Sequence, residues 1–153
     1  RAWNHFDIDM GFWPEYKQSA EWRNHFSDPV ELDYWQRIFD ASYAGKGDSS
    51  LYQWTATVWY HGGLCVTPNV NLVSNIGFGK GSTNTIASHD RLAAMETHEM
   101  PFIEHPSKVT LDEEADRFAF NFRYRGWTYR MPWRIIFSVR RLAGRVYRSV
   151  RSS

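Results

Sequence analysis

Carboxylates, imidazoles and side-chain amides gather in a few places along the chain, and each gathering suggests a chemistry. Residues 88–106 hold His89, Glu96, His98, Glu99, Glu104 and His105. Imidazole and carboxylate groups are metal ligands, so a zinc site is one reading. The spacing argues against it. His98-Glu99 runs into Met100-Pro101-Phe102, so the H-E-x-x-H of a helical zinc hydrolase is missing. Pro101 and Pro106 predict an extended surface crossing with solvated histidines.

The amides lie in His61 to Thr85, HGGLCVTPNVNLVSNIGFGKGSTNT. Leu64, Val66 and Val70, then Leu72, Val73 and Ile76, are spaced for short strands. Gly77, Gly79 and Gly81 follow, with Asn69, Asn71 and Asn75 in between. Strands leading into such a loop let the backbone approach a ligand, because Gly has no side chain to hold it off. An ordinary surface loop has the same composition. Gly77, Gly79 and Gly81 give G-x-G-x-G, not a dinucleotide fingerprint, and Lys80 between two Gly makes no P-loop. Asn71 and Asn75 are candidate hydrogen-bonding groups for a sugar or nucleotide; turn caps are the alternative.

Aromatic rings open the chain. Trp3, His5, Phe6, Phe12 and Trp13 alternate with Asp7 and Asp9 before Pro14. Rings beside acids suit a sugar acceptor, and a packed edge of the core is the alternative. Gly11 and Pro14 predict a loop or short strand here.

These stretches together resemble the C-terminal part of a bacterial glycosyltransferase family in the nucleotide-diphospho-sugar transferase (GT-A) superfamily. The residues carrying the likeness are PNVNLVSNIGFG with TNT after it, Tyr52-Gln53-Trp54 upstream, Met100-Pro101-Phe102 with His105-Pro106 downstream, and the opening RAWNHFDIDMGFWP. The likeness spans about residues 1 to 120. It implies an α/β fold, of which the chain holds the acceptor-side part over residues 1–122, with the N-terminal half missing. It implies transfer of a sugar from a nucleotide-sugar donor to a carbohydrate or lipid-linked acceptor. A divalent cation, Mn²⁺ or Mg²⁺, is expected with its ligands mostly outside this chain. Asp7-Ile8-Asp9 has the letters of the family's metal motif but lies beyond its expected place.

The same resemblance suggests roles for particular residues. The family commonly has an acid just before Tyr-Gln-Trp that looks like the general base for the acceptor hydroxyl. Leu51 stands there in this chain and cannot take a proton. Asp48 is the nearest substitute, with a helix cap as its other role. Asp48 and Gln53 are thus expected near the chemistry, and Asn71, Asn75 and Asn84 at the donor. Gly77 and Gly79 are expected against the substrate, and Trp3, Trp13 and Trp54 under the acceptor. The family's Thr-His-Thr is Thr83-Asn84-Thr85 here, which puts a neutral amide where an imidazole is usual.

Four helices are expected to carry these groups. Asp28 as N-cap, Pro29 at the first position and Glu31 at capping-box spacing predict a helix running to a Gly45 cap. A second is expected between Gly47 and Tyr60, with Ser50 and Gln53 as its capping box and Gly62 or Gly63 at its end. Thr110 and Glu113 predict a short acidic helix over 109–124. From Pro132 an amphipathic helix can be drawn, with Ile135, Ile136, Val139, Leu142 and Val146 on one side and arginines on the other. The lone Cys65 sits in an apolar run, which predicts a buried thiol and excludes an intrachain disulfide.

Charge divides the chain. In 153 residues the net charge is only +1, yet all 17 acids lie at or before Asp116 and residues 117–153 carry arginines alone as their charged groups. A separate basic tail over 123–153 is therefore expected. Trp127, Tyr129 and Trp133 precede its helix, a pattern found on anionic membrane surfaces. A docking helix or a nucleic-acid tail shares the composition, but no nucleic-acid-binding signature accompanies it. No apolar run is long enough to span a bilayer. A cytoplasmic protein, peripheral on the inner membrane face, is the expectation.

Overall fold

The computed structural model describes residues 2–47, 50–74, 93, 95–136 and 138. The described chain is helical: α1 (Trp13–Tyr16), α2 (Ala20–Arg23), α3 (Pro29–Tyr43), α4 (Leu51–Tyr60) and α5 (Glu113–Arg123). Two 3₁₀ turns, Ala2–His5 and Gly126–Tyr129, stand at either end of this set. Two compact units divide the chain: Arg1–Leu64 with Leu111–Ser153, and Cys65–Thr110. The turn Gly126–Tyr129 packs against α3 within the first unit.

Helix α3 forms where local chemistry directs it. The Asp28 carboxylate accepts from the Val30 N–H at 2.9 Å, and Pro29 takes a position that needs no donor. At the other end Gly45 has φ +68°, with Lys46 N–H bonded to the Ala41 carbonyl and Gly45 N–H to the Ser42 carbonyl. That is a Schellman cap, and it satisfies carbonyls the helix leaves open. Helix α4 ends the same way at Gly62, φ +65°. Its start differs from expectation. Ser50 makes no side-chain cap bond, and Gln53 turns inward instead of closing a capping box. At α5 the cap is Asp112, accepting from Ala115 N–H at 3.0 Å, rather than Thr110.

The core of the first unit is aromatic. Trp13, Trp22 and Phe39 are fully buried with Met10 and Ala56, and Tyr16 and Trp35 nearly so. Trp13 meets Trp22 and Phe39 edge-on, at 4.9 and 5.3 Å between centroids. Such edge-to-face pairs contribute roughly 0.5–1.5 kcal/mol each beyond their burial. Each buried indole also needs an acceptor, and α3 supplies them. Asp40 accepts from Trp13 Nε1 at 2.9 Å, Gln36 from Trp22 Nε1 at 3.0 Å, and the Glu31 carboxyl is hydrogen-bonded by Trp35. Met10 reaches this core from a left-handed backbone, φ 51°, which costs an L residue about 1–2 kcal/mol. The opening segment is thus turns and short helices rather than a strand.

Helix α5 and the turn after it close over the far face of α3. Phe120 packs edge-on against Tyr34 at 5.2 Å, and Arg130 bonds both Asp28 and the Asn121 side chain. One carboxylate, Asp28, therefore caps α3 and ties residues of the expected separate tail to it. A helical turn over 133–136 continues from there. The rest of the expected amphipathic helix lies outside the described residues.

In the second unit the strands expected between Leu64 and Val73 are not formed. Residues 63–74 run without a ladder, and the described residues show only an isolated bridge at Ala93. Val66 is 87% exposed, and Cys65 is exposed rather than buried. An apolar alternation fixes a strand only when a neighbouring strand takes its backbone bonds. No described helix is long and apolar enough to cross a membrane.

Candidate functional site

The 3₁₀ turn Ala2–His5 lays its rings across one side of α4. Trp3 stacks on Phe6, 4.7 Å between centroids at 23°, and lies 5.1 Å from Trp54 in the first turn of the helix. Phe6 meets Trp54 at 5.8 Å. At the other end of α4, His5 rests on His61 at 4.6 Å, and Tyr60 stacks on Phe12 at 4.5 Å and 13°. Trp3 is 66% exposed while Phe6 and Trp54 are half-buried, so Trp3 offers an open ring on a packed aromatic base.

Such a surface has a definite chemistry. Indole faces are apolar and electron-rich, and they take the C–H faces of a sugar ring while the hydroxyls stay in water. Leu51, in the position where the resembled family has its acid, is 58% exposed on the opening residue of α4, three residues before Trp54. A carboxylate in that place would sit at the positive end of the helix dipole, beside the aromatic surface.

Gln53 lies between Leu51 and Trp54 but points the other way. It is only 9% exposed, and its Oε1 is buried without a hydrogen-bond partner. An amide cannot act as a base, and burial keeps this one from an acceptor hydroxyl. A buried acceptor left unmet costs about 1–3 kcal/mol.

The structure thus joins Trp3 and Trp54, and it buries Gln53 and Trp13 away from that surface. Trp13 is corrected outright: it has no exposed surface, so its faces are spent on Trp22 and Phe39 and cannot hold a sugar. Asn71 belongs to the second unit, where its side-chain N–H donates to the Glu96 carbonyl at 2.7 Å and its own carbonyl accepts from His98 N–H. It ties two passages of chain together. Asp48, Asn75, Gly77, Gly79 and Asn84 lie outside the described residues.

A divalent ion finds no cage in what is described. No group of three or more His, Cys, Asp or Glu side chains is suited to hold one among the described residues. Asp7 of the Asp-Ile-Asp sequence accepts from the backbone N–H groups of Asp9 and Gly11, at 3.0 and 2.7 Å, which makes it a turn former. His5 and His61 are a pair of rings packed on each other, without a third donor.

The contribution of Phe6 and the His5–His61 contact were not singled out from sequence. Phe6 and Trp54 stand 48 positions apart and His5 and His61 stand 56 apart, and only the docking of the first turn on α4 brings them together. No protein-family model, curated protein or solved structure matches the chain.

Proposed function

We propose that this chain forms the acceptor side of a GT-A-type glycosyltransferase, which moves a sugar from a nucleotide-sugar donor to a carbohydrate or lipid-linked acceptor. The observation that carries this reading is the exposed Trp3 ring, backed by half-buried Phe6 and Trp54, at the first turn of α4. It supports an acceptor ring stacked on Trp3, with its reacting hydroxyl toward the start of the helix. In the transfer, the acceptor hydroxyl gives its proton to a carboxylate and its oxygen bonds to the anomeric carbon. The bond from that carbon to the diphosphate oxygen breaks. Asp48 is the carboxylate assigned to the proton.

One observation favours a second reading, a non-catalytic carbohydrate-binding protein built on the same surface. The exposed start of α4 carries Leu51 where an acid is expected, so the surface binds without a base beside it. Turnover decides between the two. The full-length gene product is assayed against a panel of nucleotide-sugars with Mn²⁺ or Mg²⁺, with and without EDTA, alongside Asp48→Asn and Leu51→Asp variants, since residues 1–153 alone are expected to be inactive. Turnover lost in Asp48→Asn supports transfer. Sugar binding without turnover in any variant supports the binding protein. Neither binding nor turnover overturns both.

A further inference from the structure

We propose that the segment from Arg125 to Ile136 is a docking surface for the headgroup region of a bilayer rich in anionic lipid. This does not depend on the sugar chemistry. Trp127 and Trp133 meet edge-on at 5.5 Å and keep 40% and 45% of their surface in solvent, while Met131 and Ile135 are more than half exposed. Arg125 and Arg134, one at each end of this group, are also exposed. Indoles prefer the interface between headgroup and acyl chain, aliphatic side chains enter just below it, and flanking guanidinium groups meet the phosphates.

The surface has a firm base. Gly126 is buried so closely on Phe120 and Asn121 that a Cβ there would overlap the ring. Arg130 is engaged by Asp28 and Asn121, which leaves the exposed arginines as the charge presented outward.

Charge selects the partner. From residue 117 onward the chain has arginines and no acid. The acids of α5, Glu113, Glu114 and Asp116, lie in its first turns, while Arg123 is in its last. Asp28, the acid that meets this segment, is paired with Arg130. A nucleic acid would use the arginines and the indole faces but has no place for exposed Met131 and Ile135, whereas a bilayer uses all of them.

The test is co-sedimentation of the full chain with phosphatidylcholine vesicles, with and without roughly one-third phosphatidylglycerol. Binding to the anionic vesicles, weakened by salt and at least about tenfold weaker on neutral ones, is expected. Trp133→Ala with Ile135→Ala keeps the charge and should weaken vesicle binding about tenfold or more while the circular dichroism melt is unchanged. Arg125→Gln with Arg134→Gln should weaken it by a comparable factor through charge alone. Absence of binding by the folded chain overturns the proposal. So does equal binding by the Trp133/Ile135 variant, or tighter binding of a double-stranded oligonucleotide than of the vesicles.

Discussion

Trp3 and Trp54, far apart in sequence, lie with ring centroids 5.1 Å apart on the surface of α4, and Trp3 keeps two-thirds of its area in solvent. Trp13, ten residues after Trp3, is wholly enclosed. Two tryptophans of one short segment thus have opposite duties. Trp3→Ala should change the unfolding free energy by no more than about 1 kcal/mol, whereas Trp13→Ala should cost about 3–5 kcal/mol. Urea unfolding followed by circular dichroism measures both, and equal losses would mean that Trp3 is structural.

Glu31 gives the fold a pH dependence of defined sign. Burial, chiefly, pushes its carboxyl up to about 7, with Asp28 and Asp116 adding to the rise and Trp35 and Arg130 opposing it. The native state then holds a proton that the unfolded chain releases at its ordinary carboxylate pKa. Stability from this group falls as pH rises from about 4.5 through 7. His25, whose imidazole burial pushes down, acts oppositely and loses stability as pH falls below its ordinary value. Glu31→Gln removes only the first effect. It should raise stability at pH 8 by on the order of 2 kcal/mol, discounted from the full shift because solvent reaches the Asp28–Arg130 pair. At pH 4 it should be near neutral, and a gain of the same size at both pH values would refute the assignment.

Much of α3 and α4 was legible because their ends are written in local chemistry. Asp28-Pro29 and Gly45 fix one helix, and Gly62 fixes the end of the other, through bonds within a few residues. Helix α4 does start after Ser50, but its expected capping box is absent because Gln53 had two destinies, a capping bond or burial, and it is buried. The residues from Leu64 to Val73 show the converse. Their alternation reads as strand, but a strand is completed by a partner that local pattern does not name. Trp3 and Trp13 make the same point for the site: one residue type in one segment, with only the docking on α4 and α3 separating surface from core.

Gly126 should tolerate no side chain. A Cβ would press into the Phe120 ring, itself nearly fully buried, and against Asn121, which holds Arg130. Gly126→Ala is expected to cost about 1–3 kcal/mol in thermal or urea unfolding. A neutral result would mean that α5 and the following turn are not packed as described.

Gln53→Leu should leave the fold as stable as before or stabilise it by about 1 kcal/mol, since it removes a buried acceptor that has no donor. Calorimetric melting checks this. A loss of several degrees would show that the amide is satisfied, by a bound water or by another group.

The sugar-binding surface itself is the claim on which the account rests. Isothermal titration of the chain with a panel of mono- and oligosaccharides, repeated with Trp3→Ala, addresses it most directly. A saccharide is expected to bind, and Trp3→Ala to weaken that binding at least about tenfold while lowering the melting temperature by no more than a few degrees. A saccharide bound as tightly by Trp3→Ala, or no saccharide bound at all, would contradict it.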